Sequence, residues 1–229
     1  EPDAGGKGGK GGGKKGAEVE VVERYKVKTV RFWDCVFEPS DLLLLQLALP
    51  PSVTALAVDG CGDPTVANQT IGRFAPLFAL PPTVSVLSLR CNRIDAEELK
   101  ALLPALAKNP ALTALSLWGN PLGDVGAKAL ASSLGALKHI SLGNTRLGPN
   151  GAQVFGGKLA DNTNLTSLDV SQNRVAEFGG ALLGALKTNR ALASLDLRCN
   201  LVTDEVQQLL IDEKDREDSG RDRPLDIGF

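Results

Sequence analysis

The strongest constraint on this chain is a repeated spacing of leucines that ends in an asparagine. The pattern L-x-x-L-x-L-x-x-N-x-L begins at Leu112, at Leu165 and at Leu192. Its L-x-L step alternates, so a short strand places both apolar side chains on one of its faces. One such unit cannot bury that face alone, but stacked units form a parallel sheet over a continuous core. The pattern therefore predicts a repetitive structure.

Four further copies follow the same spacing less completely. Numbering each copy from its first apolar residue as offset 0, the seven copies begin at Val27, Val53, Val84, Leu112, Leu137, Leu165 and Leu192. Steps of 25–31 residues leave room after each strand for a helix of about two to three turns. The residue at offset 18 is apolar in every copy, although it was not used to find the register. We therefore expect a core-facing helical position at Leu45, Ile71, Leu102, Leu130, Phe155, Leu183 and Leu210.

Offset 8 is predicted to be a structural position. It holds Asn in four copies and Cys in two, whereas the fifth copy has Thr145, preceded by Asn144. An amide there can satisfy backbone groups in the buried turns of its own and the next repeat. An unpaired buried polar group costs about 1–3 kcal/mol. The expected ladder consists of Cys35, Cys61, Asn92, Asn120, Asn173 and Asn200.

The composition along the chain predicts three parts. Residues 1–18 are a Gly/Lys-rich flexible linker, either solubilising or a basic tether to acidic protein surfaces or anionic lipid. Residues 19–211 form the repeat domain. Residues 212–229 are predicted to be a charged C-terminal tail, whose last six residues could alternatively dock elsewhere as an apolar peptide. The chain contains no Met, so we expect flanking sequence in the full protein.

Charge and cysteine content narrow the function classes. The net charge is −2, and residues 1–16 contribute +2, so the remainder carries −4 and lacks the basic surface that nucleic acid attracts. Four cysteines do not make a disulfide framework, so we expect free thiols in a reducing, cytoplasmic compartment. No stretch of 18 consecutive apolar residues occurs, so we expect no membrane span.

Sequence motifs for catalysis are lacking. His139 is the sole histidine, and no nucleophile–His set can be assembled around it. The sequence also contains no C-x-x-C motif of the kind that binds metal. The glycine-rich start lacks the ending of a phosphate-binding loop. We therefore expect no enzyme activity, no catalytic or metal-ligating residue, no cofactor and no small-molecule substrate.

The repeats resemble leucine-rich repeats of the ribonuclease-inhibitor type, over about residues 27–211. That family includes the ribonuclease inhibitor, Ran GTPase-activating proteins, tropomodulin-like actin-capping domains, innate-immunity sensor domains and axonemal repeat proteins. The resemblance implies an α/β solenoid with a curved parallel sheet on the concave side and helices on the convex side. It also implies a scaffold that binds other proteins within a larger complex, in a cytoskeletal or ciliary (axonemal) assembly. A GTPase-activating or signalling regulator is the alternative.

The outward-facing offsets 4 and 6 indicate where a partner would bind. Both tryptophans fall at offset 6, and Trp with nearby Arg and Asp is typical of interface hot spots. The expected concave binding residues are Trp33, Asp59, Arg90, Trp118, Asp169, Asp196 and Arg198. Two interpretations of the tryptophans stay open. They contact a partner, or they pack over their neighbours, with Gly143 leaving the room.

Overall fold

The computed structural model describes residues 27–35, 37, 39–61, 80–175, 178–216 and 224–229. The predicted linker at residues 1–18 and the predicted core residue Ile71 lie outside the described residues.

In the described residues, eight short strands form one sheet in which every neighbouring pair is parallel and follows chain order. They are β1 Thr29–Trp33, β2 Ala55–Asp59, β3 Val86–Ser88, β4 Ala114–Ser116, β5 His139–Ser141, β6 Ser167–Asp169, β7 Ser194–Asp196 and β8 Asp226–Gly228. Through β7, paired residues share the same offset, as in the row Leu87, Leu115 and Ile140. The register read from the leucine spacing is therefore the register of the sheet.

Helices cover the other side of the sheet. They are α1 Pro39–Ala48, α2 Ala96–Leu106, α3 Gly123–Ala131, α4 Pro149–Ala160, α5 Phe178–Leu186 and α6 Asp204–Lys214. From α2 to α6 each helix contacts the next one along the chain. Helix α2 begins with a capping box, in which Asp95 accepts from the amides of Glu97 and Glu98. The predicted α/β solenoid is confirmed.

The core consists of the repeating apolar positions. At offset 18, Leu102, Leu130, Phe155 and Leu210 are 0–1% exposed. The sixth repeat differs, because Leu182 is fully buried and Leu183 only packs half-buried against the core. Neighbouring helical residues point about 100° apart. Helix α5 is thus rotated about its axis by one residue relative to the other helices.

The C-terminal end departs from the predicted tail at residues 212–229. Helix α6 extends to Lys214, and residues 226–228 pair with β7 as an eighth strand. Leu225 and Ile227 are 1% and 8% exposed, so they close the end of the core. The sequence pattern misses this strand because it lacks the Asn turn and because its leucine stands one position after the expected offset 0. The apolar end peptide docks on its own sheet.

The asparagine ladder joins each repeat to the preceding one, which corrects the expected direction. The Asn120 Oδ1 accepts from the amides of Asn92 and Ile94, both at 3.0 Å. Its Nδ2 donates to the carbonyls of Leu89 and Leu117, both at 2.8 Å. Asn173 and Asn200 repeat this arrangement, and Asn92 makes the bonds to the preceding repeat, accepting from the Cys61 amide and donating to the Val58 carbonyl. Each amide therefore satisfies backbone groups of the repeat before it.

The ladder changes at the repeats that lack asparagine. The Thr145 hydroxyl donates to its own Leu142 carbonyl at 2.7 Å and does not reach the preceding repeat. At the N-terminal end, the Cys35 thiol donates to the Trp33 carbonyl, and the Cys61 thiol donates chiefly to Asp59. Thiols make weak hydrogen bonds. The ladder is therefore weaker in the first two repeats and interrupted between the fourth and the fifth.

Candidate functional site

The parallel register places the predicted binding residues in two neighbouring rows on the sheet face that points away from the helices. At offset 4, Ser88, Ser116, Ser141, Asp169 and Asp196 pair directly from strand to strand. The offset 6 row continues the ladder beyond the short strands, because its carbonyls accept amides from the preceding repeat, as Trp118 accepts from Cys91. Rows on adjacent strands lie about 4.8 Å apart.

Trp118 packs within its own row. The Arg90 guanidinium lies 5.0 Å from the centre of the Trp118 ring, within cation–π range. A Cβ atom on Gly143 would overlap that ring, lying 2.5 Å from Nε1 and 2.9 Å from the Ser171 Oγ. Trp118 is half-buried. Of the two interpretations, local packing therefore describes Trp118, and Gly143 leaves the room for its indole.

Trp33 has a different environment at the N-terminal end of the same row. Its side chain is 81% exposed. With Arg31, Val86 and Arg90 it lines a depression in the sheet whose floor includes Ala55 and Ala57. Val86 lies at offset 2, an outward column that the sequence analysis did not consider. The alternation that exposes offsets 4 and 6 exposes offset 2 as well, so the signal was present.

The acidic residues of the site are held by local hydrogen bonds. Asp59 accepts from the Ser88 hydroxyl at 2.6 Å and from the Arg90 amide at 2.9 Å. Asp169 likewise accepts from the Ser141 hydroxyl at 2.7 Å and from the Ser171 amide at 2.9 Å. These carboxylates fix the ends of neighbouring strands, so they are not free to bind a partner's cations at full strength.

Asp196 and Arg198 form an ion pair at the C-terminal end. The Arg198 Nε donates to both Asp196 carboxylate oxygens, at 3.0 and 3.1 Å, and the Arg198 Nη2 donates to the Asp196 Oδ2. The side-chain hydrogen bond from Arg198 lowers the pKa of Asp196, and partial burial opposes this effect. The same bond raises the pKa of Arg198. Since Arg198 is exposed, this pair adds little stability, and it offsets the charge of Asp196 while Asp169 stays charged.

Offset 7 is a structural feature that the sequence analysis missed. All seven repeats have a left-handed residue there, with φ between 51° and 72°. The seven residues are Asp34, Gly60, Cys91, Gly119, Asn144, Gln172 and Cys199. Glycine, asparagine and aspartate tolerate this conformation best, and their recurrence at offset 7 was the available signal. Asn144 therefore belongs to the regular turn, one residue before Thr145 in the asparagine column.

A second missed feature lies at offset 1. The hydroxyls of Thr54, Ser85, Thr113 and Thr166 donate to the carbonyl at the same offset of the preceding repeat, at 3.1–3.4 Å. This hydroxyl ladder runs along the edge of the sheet where the strands begin. The sequence signal was the column of Ser and Thr at that offset. These residues hold the sheet together and do not form part of the binding surface.

The residues considered for chemistry do not converge. His139 is exposed on β5, on the outward sheet face. Cys91 and Cys199 are exposed four repeats apart, and Cys61 is buried. Within the part of the chain that the structure describes, His, Cys, Asp and Glu side chains form no group of three suited to a metal ion.

Comparisons with known proteins agree with the architecture. A sequence model described as "Leucine Rich repeat" matches residues 108–131 and 161–181, which cover parts of the fourth to sixth repeats. Together with the strand register and the asparagine ladder, this match identifies the repeats. The chain is built of leucine-rich repeats. The ribonuclease-inhibitor subtype stays a resemblance carried by the repeat length.

Relatives of this leucine-rich repeat protein share stretches of the repeats. "NACHT, LRR and PYD domains-containing protein 13" of Homo sapiens is 36% identical over 129 residues, which cover 54% of this chain and 12% of that protein. "Centrosomal protein of 78 kDa" of Mus musculus is 36% identical over 83 residues, covering 35% of this chain and 10% of that protein. The matched stretches thus make up about a tenth of each relative's length.

A solved structure titled "Leiomodin-1 Actin-Binding Site 2 (ABS2)" is also similar, at 16% identity and a TM-score of 0.39. The match covers 76% of this chain and 84% of that one.

In the described ranges of the leucine-rich repeat protein, every helix falls short of the length and apolar content needed to cross a bilayer.

Proposed function

We propose that this protein is a non-enzymatic scaffold that binds another protein on the concave face of its sheet. The observation that carries the proposal is the outward row of large and charged side chains, which begins at the exposed Trp33. Aromatic residues and arginine supply most of the binding energy in protein interfaces. The convex side of the central repeats carries single exposed lysines and valines, such as Lys128 and Val125 of α3. These residues form no comparable cluster.

We place the scaffold in a larger cytoskeletal assembly of the cytoplasm. A relative whose name describes it as centrosomal supports this placement over 35% of the chain. A ciliary or axonemal place rests on the repeat resemblance alone and stays a prediction. Fold by itself does not specify function, so the binding surface must identify the partner.

The alternative, a GTPase-activating regulator, gains little from the geometry of the arginines. A catalytic arginine must reach the transferred phosphoryl group of a bound nucleotide. Arg198 is held by Asp196, and Arg90 lies over Trp118. Either guanidinium would have to leave these contacts to reach a bound nucleotide, although the N–H edge of the stacked Arg90 can still donate in place. A GTP-hydrolysis assay with purified small GTPases tests this alternative, and stimulated hydrolysis would favour it over a passive scaffold.

Site-specific photocrosslinking tests which face is occupied. A benzoylphenylalanine replaces Ser116, on the concave strand β4, or Ser132, which is exposed after α3. Both variants exchange one serine for the same photoreactive group, so they differ only in position. We expect crosslinked adducts from cell extract at Ser116 and none at Ser132. Adducts confined to Ser132 would show that the partner binds the helical side.

A further inference from the structure

The concave face differs between its two ends. At the C-terminal end, Asp169 is bonded by serine hydroxyl and backbone, and Asp196 is paired with Arg198. At the N-terminal end, Arg31 and Arg90 are both exposed beside Trp33. The C-terminal end of the face therefore keeps the negative charge of Asp169, whereas the N-terminal end presents two arginines and an exposed indole.

Among the described residues that line the N-terminal depression, two arginines, Arg31 and Arg90, stand against one carboxylate, that of Asp59. Across the described ranges, no ion pair joins the Arg31 or Arg90 guanidinium to a carboxylate. The nearby Asp59 accepts from the Ser88 hydroxyl and the Arg90 backbone amide. Arg31 lies on β1 and Arg90 follows β3, so two strand spacings of about 4.8 Å separate them across the sheet. Two carboxylates about three or four residues apart on a helical or bent segment could meet both arginines.

The rest of the depression is lined mainly by apolar side chains, several of them small. Val86 is exposed, and Ala55 and Ala57 cover the floor between the two arginines. Small side chains let a partner's backbone approach the sheet closely. Trp33 stands beside this floor with most of its ring exposed. A bulky apolar side chain placed on the alanine floor beside Trp33 would remove part of the indole from water.

We propose that this N-terminal depression binds an acidic segment of a partner protein that carries a bulky apolar side chain. The segment's carboxylates pair with Arg31 and Arg90, and its apolar side chain packs against Trp33 over Ala57. Arginine favours carboxylates because its planar fork can donate two parallel hydrogen bonds. This inference rests on the proposed function, since it names the partner chemistry of the same concave face.

A protein segment fits this depression better than a nucleic acid strand does. Nucleic acid binding requires several cations along the backbone, and its affinity comes largely from phosphate contacts. Among the described residues, two arginines line the depression, and the whole chain carries a net charge of −2. A long polyanion would be repelled by the rest of the protein, whereas a short acidic segment with an apolar anchor would not.

Peptide selection on the complete chain tests the inference without a known partner. A random library of twelve-residue peptides on phage is selected against the immobilised protein, and enriched sequences are synthesised with a fluorescent label. Fluorescence anisotropy then measures their affinity. We expect enriched peptides to combine Asp or Glu with Trp, Phe or Leu. Their binding should weaken as salt rises, because exposed charges are screened.

Matched variants locate the binding site of those peptides. Arg31→Glu and Lys128→Glu reverse one positive charge each, the first on the concave face and the second on α3. We expect Arg31→Glu to weaken binding tenfold or more and Lys128→Glu to change it less than twofold. Trp33→Ala should also weaken binding tenfold or more. Thermal melts followed by circular dichroism confirm that each variant is folded.

The possible outcomes separate the inference from the proposed function. Enriched peptides without acidic residues that still depend on Trp33 would overturn the acidic inference and leave the concave scaffold standing. Peptides that respond only to Lys128→Glu would overturn both. A failure to enrich any sequence would overturn the inference, while photocrosslinking at Ser116 still decides the scaffold. A twelve-nucleotide oligo-dT bound as tightly as the best peptide would replace the inference with nucleic acid binding.

Discussion

Single side chains at offset 8 join neighbouring repeats of this protein. Asn120 is fully buried and bonded to four backbone groups, two of them amides of the third repeat. Asn189 makes similar bridges at the helix end, where its Nδ2 donates to the Leu159 carbonyl of the preceding repeat. The amide group suits this position because it donates and accepts at once. Cysteine and threonine satisfy fewer groups at the same offset.

Replacing Asn120 by alanine should therefore destabilise the fold. The change leaves the buried amides of Asn92 and Ile94 without their acceptor, and each unsatisfied group costs about 1–3 kcal/mol. Urea denaturation should show a lower midpoint for Asn120→Ala. Asn150→Ala is the control, because Asn150 is exposed on α4. An unchanged midpoint for Asn120→Ala would contradict the buried-turn assignment.

Gly143 and Trp118 form the second residue-scale unit. A side chain at Gly143 would overlap the Trp118 ring, which must then leave its position under Arg90. We expect Gly143→Ala to lower stability by about 1–3 kcal/mol, as overpacking does. The Trp118 fluorescence should shift to longer wavelength as the indole moves into water. A Trp33→Phe background isolates this signal.

The matched control for this pair is Gly157→Ala on α4, where an added Cβ meets no atom within 4 Å. Alanine has the higher helix propensity, so this control should be neutral or stabilising by about 1 kcal/mol. An unchanged Trp118 spectrum in Gly143→Ala would mean that the ring does not lie over residue 143. Because Trp118 packs locally, Trp33→Ala is the better test of binding than Trp118→Ala.

Among the elements, β8 has the least sequence signal and a clear structural role. It extends the sheet past β7, and its Ile227 occupies the same row as Leu195. The strand covers core leucines of the seventh repeat that would otherwise face water. Solenoids need such coverage at their ends, because an uncovered terminal repeat exposes its apolar face.

Adjacent substitutions can measure what β8 contributes. Ile227→Thr keeps the β-branched shape but places a hydroxyl in a buried site, so we expect a loss of about 1–2 kcal/mol. Asp226→Thr introduces the same residue at the exposed neighbouring position and should change stability little. Differential scanning calorimetry compares the two variants. Equal melting temperatures would indicate that β8 does not pack on the core in solution.

On the scale of the whole molecule, contacts between elements join consecutive repeats. The described strands and helices contact their nearest neighbours along the solenoid, apart from the contact between α6 and the terminal strand β8. Stability is then approximately a sum of repeat terms and interface terms. The interfaces are not equal, because the asparagine ladder is weaker at the N-terminal end. Leu44 and Leu47 of α1 are also 62% and 74% exposed.

Hydrogen exchange followed by mass spectrometry should reveal this gradient. We expect peptides covering β1 and α1 to exchange faster than those covering β4 to α4, because they open locally at lower free energy. Asn120→Ala should raise exchange mainly in the third and fourth repeats. Uniform protection from β1 to β7 would contradict the nearest-neighbour description and indicate a single cooperative unit.

The sequence by itself determined the repeat register, the parallel sheet and the positions of the core. These features follow from local periodicity, because apolar residues at fixed offsets have only one way to share a buried face. The same reasoning identified the Asn92, Asn120, Asn173 and Asn200 column, and it placed Trp33 and Trp118 in one outward row. This reasoning failed for β8. No local motif marks that strand, and contact with the preceding repeat is what selects it.

Only the tertiary structure decided which outward residues are free to bind. Trp33 and Trp118 share an offset, yet the room over Gly143 and the cation of Arg90 bury half of Trp118 while Trp33 stays exposed. Asp59 and Asp169 look like binding groups in the sequence, but serine hydroxyls of adjacent repeats donate to both. The physical reason is that exposure and pairing depend on side chains of the adjacent repeats, about 28 residues away in the chain. Periodicity predicts which positions become neighbours but not which contacts their side chains make.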